Sequence, residues 1–365
     1  MSAASSQSGF AAQPLATATA LPAPCYVGVD AETRDRRAVF ARSWQLVAHA
    51  AQLASAGDHA VADIAGVPLV LVRGDDGELR ALHNVCRHRA GPLATCDGRG
   101  AKRLRCRYHG WTYALDGRLL SAPEMGEAEN FRTDAISLPQ ARIAQWRGLV
   151  FAALDAAPPF ADLVEGIDAR VGAAAMDGYV FTRRVAYEID CDWKVYVDNY
   201  LEGYHVPHIH PELNRMLDYR SYVTETARWH SLQWSPLESA DELYGDGDAL
   251  YYWLWPNTML NILRGRVQTN RVLPLAGNRC RVEFDFYYSG NGNATRQERD
   301  LAFSDLVQRE DIDICERVQR GLASGSYVAG RLNPKRESGV HHFHELLREA
   351  YRETPCVPHG PTARS

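Results

Sequence analysis

Between Cys86 and Trp111 the chain reads CRHRAGPLATCDGRGAKRLRCRYHGW, and no other stretch restricts its possible folds so tightly. Cys86 and His88 are two apart, Cys106 and His109 are three apart, and 17 residues separate His88 from Cys106. Two thiolates and two imidazoles in this arrangement suit a [2Fe–2S] centre with unequal irons, one held by the Cys pair and the other by the His pair. Imidazole ligation raises the reduction potential above that of an all-Cys cluster. Each pair comes from one short loop, so two facing loops can clamp the cluster. Gly91-Pro92 and Gly110 allow tight turns beside it. A structural zinc is the alternative for such a set, usually with Cys-x2-Cys and His-x3–5-His spacing. A one-residue gap in the first pair points two ligands awkwardly for a tetrahedron.

A chain of 365 residues is long enough for two domains, and its 46% hydrophobic and 23% charged residues are ordinary for a globular protein. The net charge of −5 argues against nucleic acid as a partner. Of eight cysteines, six remain outside the cluster set without framework spacing, which points to a reducing cytoplasm. The first 22 residues lack the basic start and apolar run of a signal peptide, and no window suits a membrane span.

Pattern divides the chain into a tail at 1–27, a first domain at 28–157 opening with a helix from Glu32, and a second domain at 158–365. The expected class is α+β. Short strands at Asp63–Val72, Leu79–Val85 and Leu104–Tyr113 make the first domain all-β with the ligand loops at one end. In the second, Phe181–Cys191 reads as a strand and Asp192–Tyr204 as a helix with an Asp cap. Alternating segments from Arg228 to Ser289 predict a twisted antiparallel sheet, flanked by helices at Glu298–Gly321 and within Arg331–Arg352.

A second constellation lies in DNYLEGYHVPHIHPEL, Asp198 to Leu213, with Glu202 and His205, His208 and His210, and QRED at 308–311 follows downstream. Two His and one carboxylate on one face of an iron leave positions open for O2 and substrate. At 100° per residue His205 and His208 would stand about 60° apart, the better pair on an ideal helix. Pro207 breaks that ideal. Spacing alone therefore does not choose the ligands.

With both motifs in this order, the sequence resembles the catalytic α subunit of Rieske non-haem iron oxygenases over most of residues 35–350. The resemblance implies Cys86, His88, Cys106 and His109 on the cluster, and His205, His210 and Asp311 on one mononuclear Fe(II). Asp313 and Glu310 are neighbouring candidates for the carboxylate, and His208 becomes a residue of the pocket or one that supports the ligands from behind. It also implies O2 as co-substrate, a separate NAD(P)H-dependent reductase, and a homotrimer that sets one subunit's cluster beside the next subunit's iron. Glu202 would bridge His109 of one subunit to an iron-ligand His of the next, where the family more often has Asp. Asn199 would neighbour the iron.

For the substrate, Leu250–Leu263 carries Tyr251, Trp253 and Trp255 on one strand face. They are an aromatic core or a cage that attracts a quaternary ammonium through the ring faces. WPN at 255–257 and GRLNPKRESGVHHFHELL at 330–347 resemble the choline-monooxygenase-like, betaine-demethylating branch. The resemblance thus implies a monooxygenase acting beside a quaternary nitrogen, by hydroxylation or N-demethylation. Arg264 and Arg266 depart from a pocket for a trimethylammonium group alone, which would want no arginine; if either faces the pocket it suggests a substrate carboxylate, in a betaine or in an aromatic acid met by a ring-hydroxylating enzyme.

Overall fold

The computed structural model describes residues 10–154, 156–172, 178–237, 243, 247–290 and 293–354. It divides into a smaller unit, Phe40–Phe160, and a larger one comprising Met1–Val39 and Ala161–Ser365. The α+β class is as expected. Among the described residues no helix is long and apolar enough to cross a membrane.

The smaller unit is built on strands β1 (Gln45–His49), β2 (His59–Ile64), β3 (Val67–Arg73), β4 (Leu79–His83), β5 (Leu104–Arg105), β6 (Thr112–Tyr113), β7 (Leu119–Ser121), β8 (Gln140–Trp146) and β9 (Leu149–Ala153). They form one sheet in the order β1-β9-β8-β4-β3-β2 and a small sheet β5-β6-β7. The segment expected as one strand at 63–72 is a hairpin, because Ala65 and Gly66 both take positive φ and turn the chain. The run Leu69-Val70-Leu71-Val72 does not alternate in polarity because both its faces are buried. Leu69 and Leu71 pack with Val47, Leu53 and Ile64, whereas Val70 and Val72 pack with Leu82, Trp111 and Tyr113 under the ligand loops. Each such side chain contributes roughly 1.5–3 kcal/mol by leaving water.

The larger unit carries a second antiparallel sheet: β10 (Tyr179–Ile189), β11 (Val223–Thr226), β12 (His230–Pro236), β13 (Asp248–Leu254), β14 (Thr258–Leu263), β15 (Arg266–Leu275) and β16 (Arg279–Ser289). Its order is β10-β16-β15-β14-β13-β12-β11, so everything after β10 is a meander. The helices that matter are α1 (Val29–Ala38), α2 (Trp193–Tyr200), α3 (Val206–Ile209), α4 (Pro211–Met216), α5 (Ala294–Ala323) and α6 (Ser338–Glu353). Asp192 caps α2 as its sequence predicts, its side chain accepting from Lys194 N at 3.0 Å.

The leading segment departs from expectation: α1 belongs to the larger unit, not to the cluster-motif domain. Lys194, at the start of α2, is fully buried and needs carboxylates. Asp35 of α1 supplies one, accepting from Lys194 Nζ, from Trp193 Nε1 at 2.8 Å and from the Tyr351 hydroxyl at 2.5 Å. Asp192 supplies the other at 2.7 Å. The described part of the tail is also fixed rather than draped. Ala20 N donates to Gly330 O at 2.9 Å, Leu332 N donates to Ala18 O at 3.1 Å, and Leu21 is fully buried. Residues 1–9 lie outside the described residues, as does Asp155 at the expected domain boundary.

Candidate metal centres

The loops at 86–91 and 106–111 close in the same way. Cys86 N donates to Gly91 O at 2.9 Å and Ala90 N to Cys86 O at 3.0 Å; Cys106 N donates to Trp111 O at 2.9 Å and Gly110 N to Cys106 O at 3.0 Å. The fourth residue after each Cys takes positive φ, Ala90 at 57° and Gly110 at 74°. This shared turn buries both cysteines and leaves His88 and His109 exposed. The imidazole centroids stand 4.6 Å apart, with His88 stacked on Trp111 at 4.9 Å. A Cβ on Gly91 would come within 2.8 Å of Cys106 Sγ, so glycine is needed there. The Tyr113 hydroxyl accepts from Arg87 N at 3.0 Å and lies 3.3 Å from Cys86 Sγ. Two buried soft donors and two exposed imidazoles on paired loops fit the chemistry of a cluster with one shielded and one accessible iron.

In the larger unit, the donor atoms of His205, His210 and Asp311 lie within 4.8 Å of one another. Local structure explains which histidines meet. Helix α3 is a single turn after Pro207-assisted initiation, with His205 at its N-cap and His210 at its C-cap. The two rings face at 5.0 Å, while His208 is exposed instead of entering the pocket. His210 Nε2 is 3.0 Å and His205 Nε2 3.7 Å from Asp311 Oδ1. Of the neighbouring acids, Asp313 is exposed and paired with Arg317 at 2.9 Å, and Glu310 reaches the other side of His210.

Each imidazole is held from behind by a carboxylate. Glu202 Oε1 is 2.6 Å from His205 Nδ1, and its other oxygen accepts from Tyr204 N and from His205 N at 3.1 Å. Glu310 Oε2 is 2.7 Å from His210 Nδ1. Asn199 Nδ2 donates to Asp311 Oδ1 at 2.6 Å. Burial works against the charged form of His210, yet the hydrogen bonds and charges of Asp311 and Glu310 outweigh it and raise its pKa above the ordinary imidazole value. The role of Glu310 escaped the sequence because adjacent helical residues differ by 100°, which places them on different sides of whatever they flank.

A cavity of about 140 Å³ opens on this trio. Tyr222, Tyr251, Phe284 and Phe303 line it, together with Gln233, Asn261 and Gln268 from one cross-strand row. Arg266 lines it too, its Nη1 3.2 Å from Asp300 Oδ1. Burial pushes the phenol of Tyr251 up to about 12, so its ring stays neutral. Trp253 and Trp255, expected at the substrate, lie in the core instead, against Phe343 of α6 at 5.3 and 6.1 Å. Arg264 is exposed at the β14–β15 turn, and Arg266 two residues on takes the wall position expected of it. A strand alternation identifies a face but not how far along that face the cavity extends.

Two family models match: the Rieske [2Fe-2S] domain at residues 43–133 and the ring hydroxylating alpha subunit catalytic domain at 176–353. The chain is 35% identical to the chloroplastic choline monooxygenase of Arabidopsis thaliana, over 92% of this chain and 83% of that protein. It is 32% identical to the carnitine monooxygenase oxygenase subunit of Escherichia coli K12, over 91% and 94%. A solved quaternary ammonium Rieske monooxygenase superposes with a TM-score of 0.84 at 27% identity, covering 93% of this chain and 99% of that one. The cluster-type loops, the mononuclear trio and these matches make the chain an oxidoreductase with a [2Fe–2S] cluster and a mononuclear iron, a member of the Rieske non-haem iron oxygenase catalytic subunits.

Proposed function

We propose that the protein is a monooxygenase that hydroxylates a carbon beside the quaternary nitrogen of a small zwitterion, with N-demethylation where the carbinolamine collapses. The observation that carries this reading is the composition of the cavity wall: neutral aromatic rings near the trio and a buried guanidinium, Arg266, on the same wall. Ring faces attract a methylated ammonium and a guanidinium suits a carboxylate. The chain's likeness to enzymes named for choline and carnitine supports the same choice.

His205, His210 and Asp311 are the residues we assign to Fe(II), and Cys86, His88, Cys106 and His109 to the cluster. The iron supplies dioxygen activation and the cluster supplies electrons one at a time. The protein's part is positional. Glu202 and Glu310 accept from the Nδ1–H groups of His205 and His210, which leaves each Nε2 unprotonated toward the metal. Asn199 fixes the rotation of the Asp311 carboxylate. The apolar rings keep bulk water from the reacting carbon. Electrons come from a separate NAD(P)H-dependent reductase and cross from His109 of a neighbouring copy to Glu202 in a homotrimer, in the cytoplasm.

Purified enzyme with such a reductase should take up oxygen with γ-butyrobetaine or carnitine more readily than with choline, and Arg266→Leu should narrow that preference severalfold. Uptake with aromatic acids alone would overturn the substrate reading while leaving the iron site in place.

A further inference from the structure

Arg266 meets the cavity with a carboxylate already at its back. It opens β15, and its Nη1 lies 3.2 Å from Oδ1 of Asp300, in the second turn of α5. The other oxygen of Asp300 accepts from the hydroxyl of Tyr288, which stands directly opposite Arg266 on β16. The two charged side chains are 8% and 3% exposed, so water does little to screen them. Arg266 lines the cavity, whereas Asp300 and Tyr288 do not. The cavity therefore faces the guanidinium, and the carboxylate stands away from it.

A lone guanidinium buried this deeply would need a counterion in every bound state. A substrate carboxylate would supply one, but an uncharged tail would leave the cation unpaired. Such a cavity would reject uncharged tails strongly. With Asp300 in place the pair carries no net charge, and an uncharged tail strands nothing. A guanidinium has five N–H donors, more than one carboxylate can take, so a substrate carboxylate is still recognised. It is recognised against the opposing field of Asp300. We propose that Asp300 sets the tail specificity of this enzyme: by neutralising Arg266 from behind, it keeps the preference for a carboxylate tail modest. One cavity then accepts quaternary ammonium substrates with either kind of tail. The inference rests on the substrate reading above, and Asp300 is a positioning residue that acts through Arg266.

The test compares γ-butyrobetaine with its carboxamide, which has the same shape and no tail charge, and with choline. Reductase-coupled holoenzyme is assayed for product, and kcat and KM are obtained for each compound. For the wild-type enzyme, kcat/KM for the acid should exceed that for the carboxamide by less than about tenfold. A ratio of about a hundredfold or more is what an unneutralised buried guanidinium would give, and it would overturn the proposal. Asp300→Asn keeps the shape and an oxygen for Arg266 but removes the charge. It should lower KM for the acid severalfold and raise KM for the carboxamide and choline, with kcat moving less than KM. The acid-to-carboxamide ratio should then widen about tenfold or more. A purely structural Asp300 would raise KM for all three compounds; that result, or a ratio that stays or narrows, refutes the assignment. The wild-type comparison decides the matter even if the variant does not fold. If the acid is hydroxylated but the ratios fail, only this inference falls. If none of the three is hydroxylated, the substrate reading falls and takes this inference with it.

Discussion

Asp311, His205 and His210 form a site because three other side chains remove their alternatives. Glu202 and Glu310 take the outer nitrogens of the rings, and Asn199 holds the carboxylate. His205→Ala should abolish substrate oxidation and mononuclear iron binding while the cluster's visible spectrum stays unchanged; retained turnover would sink the ligand assignment. The raised pKa of His210 sets a further expectation. Metal needs its neutral imidazole, and a raised pKa means the proton competes at higher pH than for a free histidine. Fe(II) affinity of the metal-free protein should be full above that raised pKa and fall up to about tenfold per pH unit below it. A titration flat from pH 8 to about 6 would contradict this. At the cluster, Tyr113→Phe removes the hydroxyl beside Cys86 Sγ, and the reduction potential should drop in protein-film voltammetry.

At the level of elements, α2 is the piece that joins the anchoring network to the metal site. It starts on Asp192 and Lys194 and ends at Asn199 and Tyr200. Lys194→Met would leave Asp35 and Asp192 buried without their cation, and unfolding free energy should fall by roughly 3–5 kcal/mol in denaturant melts. Burial already pushes the Asp192 carboxyl up in pKa, with Lys194 holding it down. This cap was legible in the sequence because an Asp before an apolar run has a local cause. So were the ligand loops, whose spacing is itself the chemistry. The place of α1 was not legible, since Asp35 finds Lys194 across 159 residues and no local pattern records such a pairing. The wall of the cavity was half legible. Alternation in β13 put Tyr251 and Trp253 on one face, yet only the packing of Phe343 decides that Trp253 is core. The fate of His208 depended on α3 stopping after one turn, which Pro207 hints at but does not fix.

For the whole molecule, the proposed electron flow between copies makes a prediction that no single chain can satisfy. Mixed assemblies of a His205→Ala chain and a His109→Ala chain should recover part of the activity that each lacks alone, read as NADH-coupled product formation. No recovery from co-purified mixed assemblies would refute transfer between subunits. A last consequence follows from α5. Asp300, paired with Arg266, and Asp311 are 11 residues apart on this one helix, which is about three turns and about 16 Å. Both carboxylates therefore point the same way from one stiff shaft. A ligand held by the guanidinium at one end would load the same shaft that carries Asp311, the carboxylate we assign to the metal. Occupancy at one end and the carboxylate's position at the other would then be linked through a single piece of backbone.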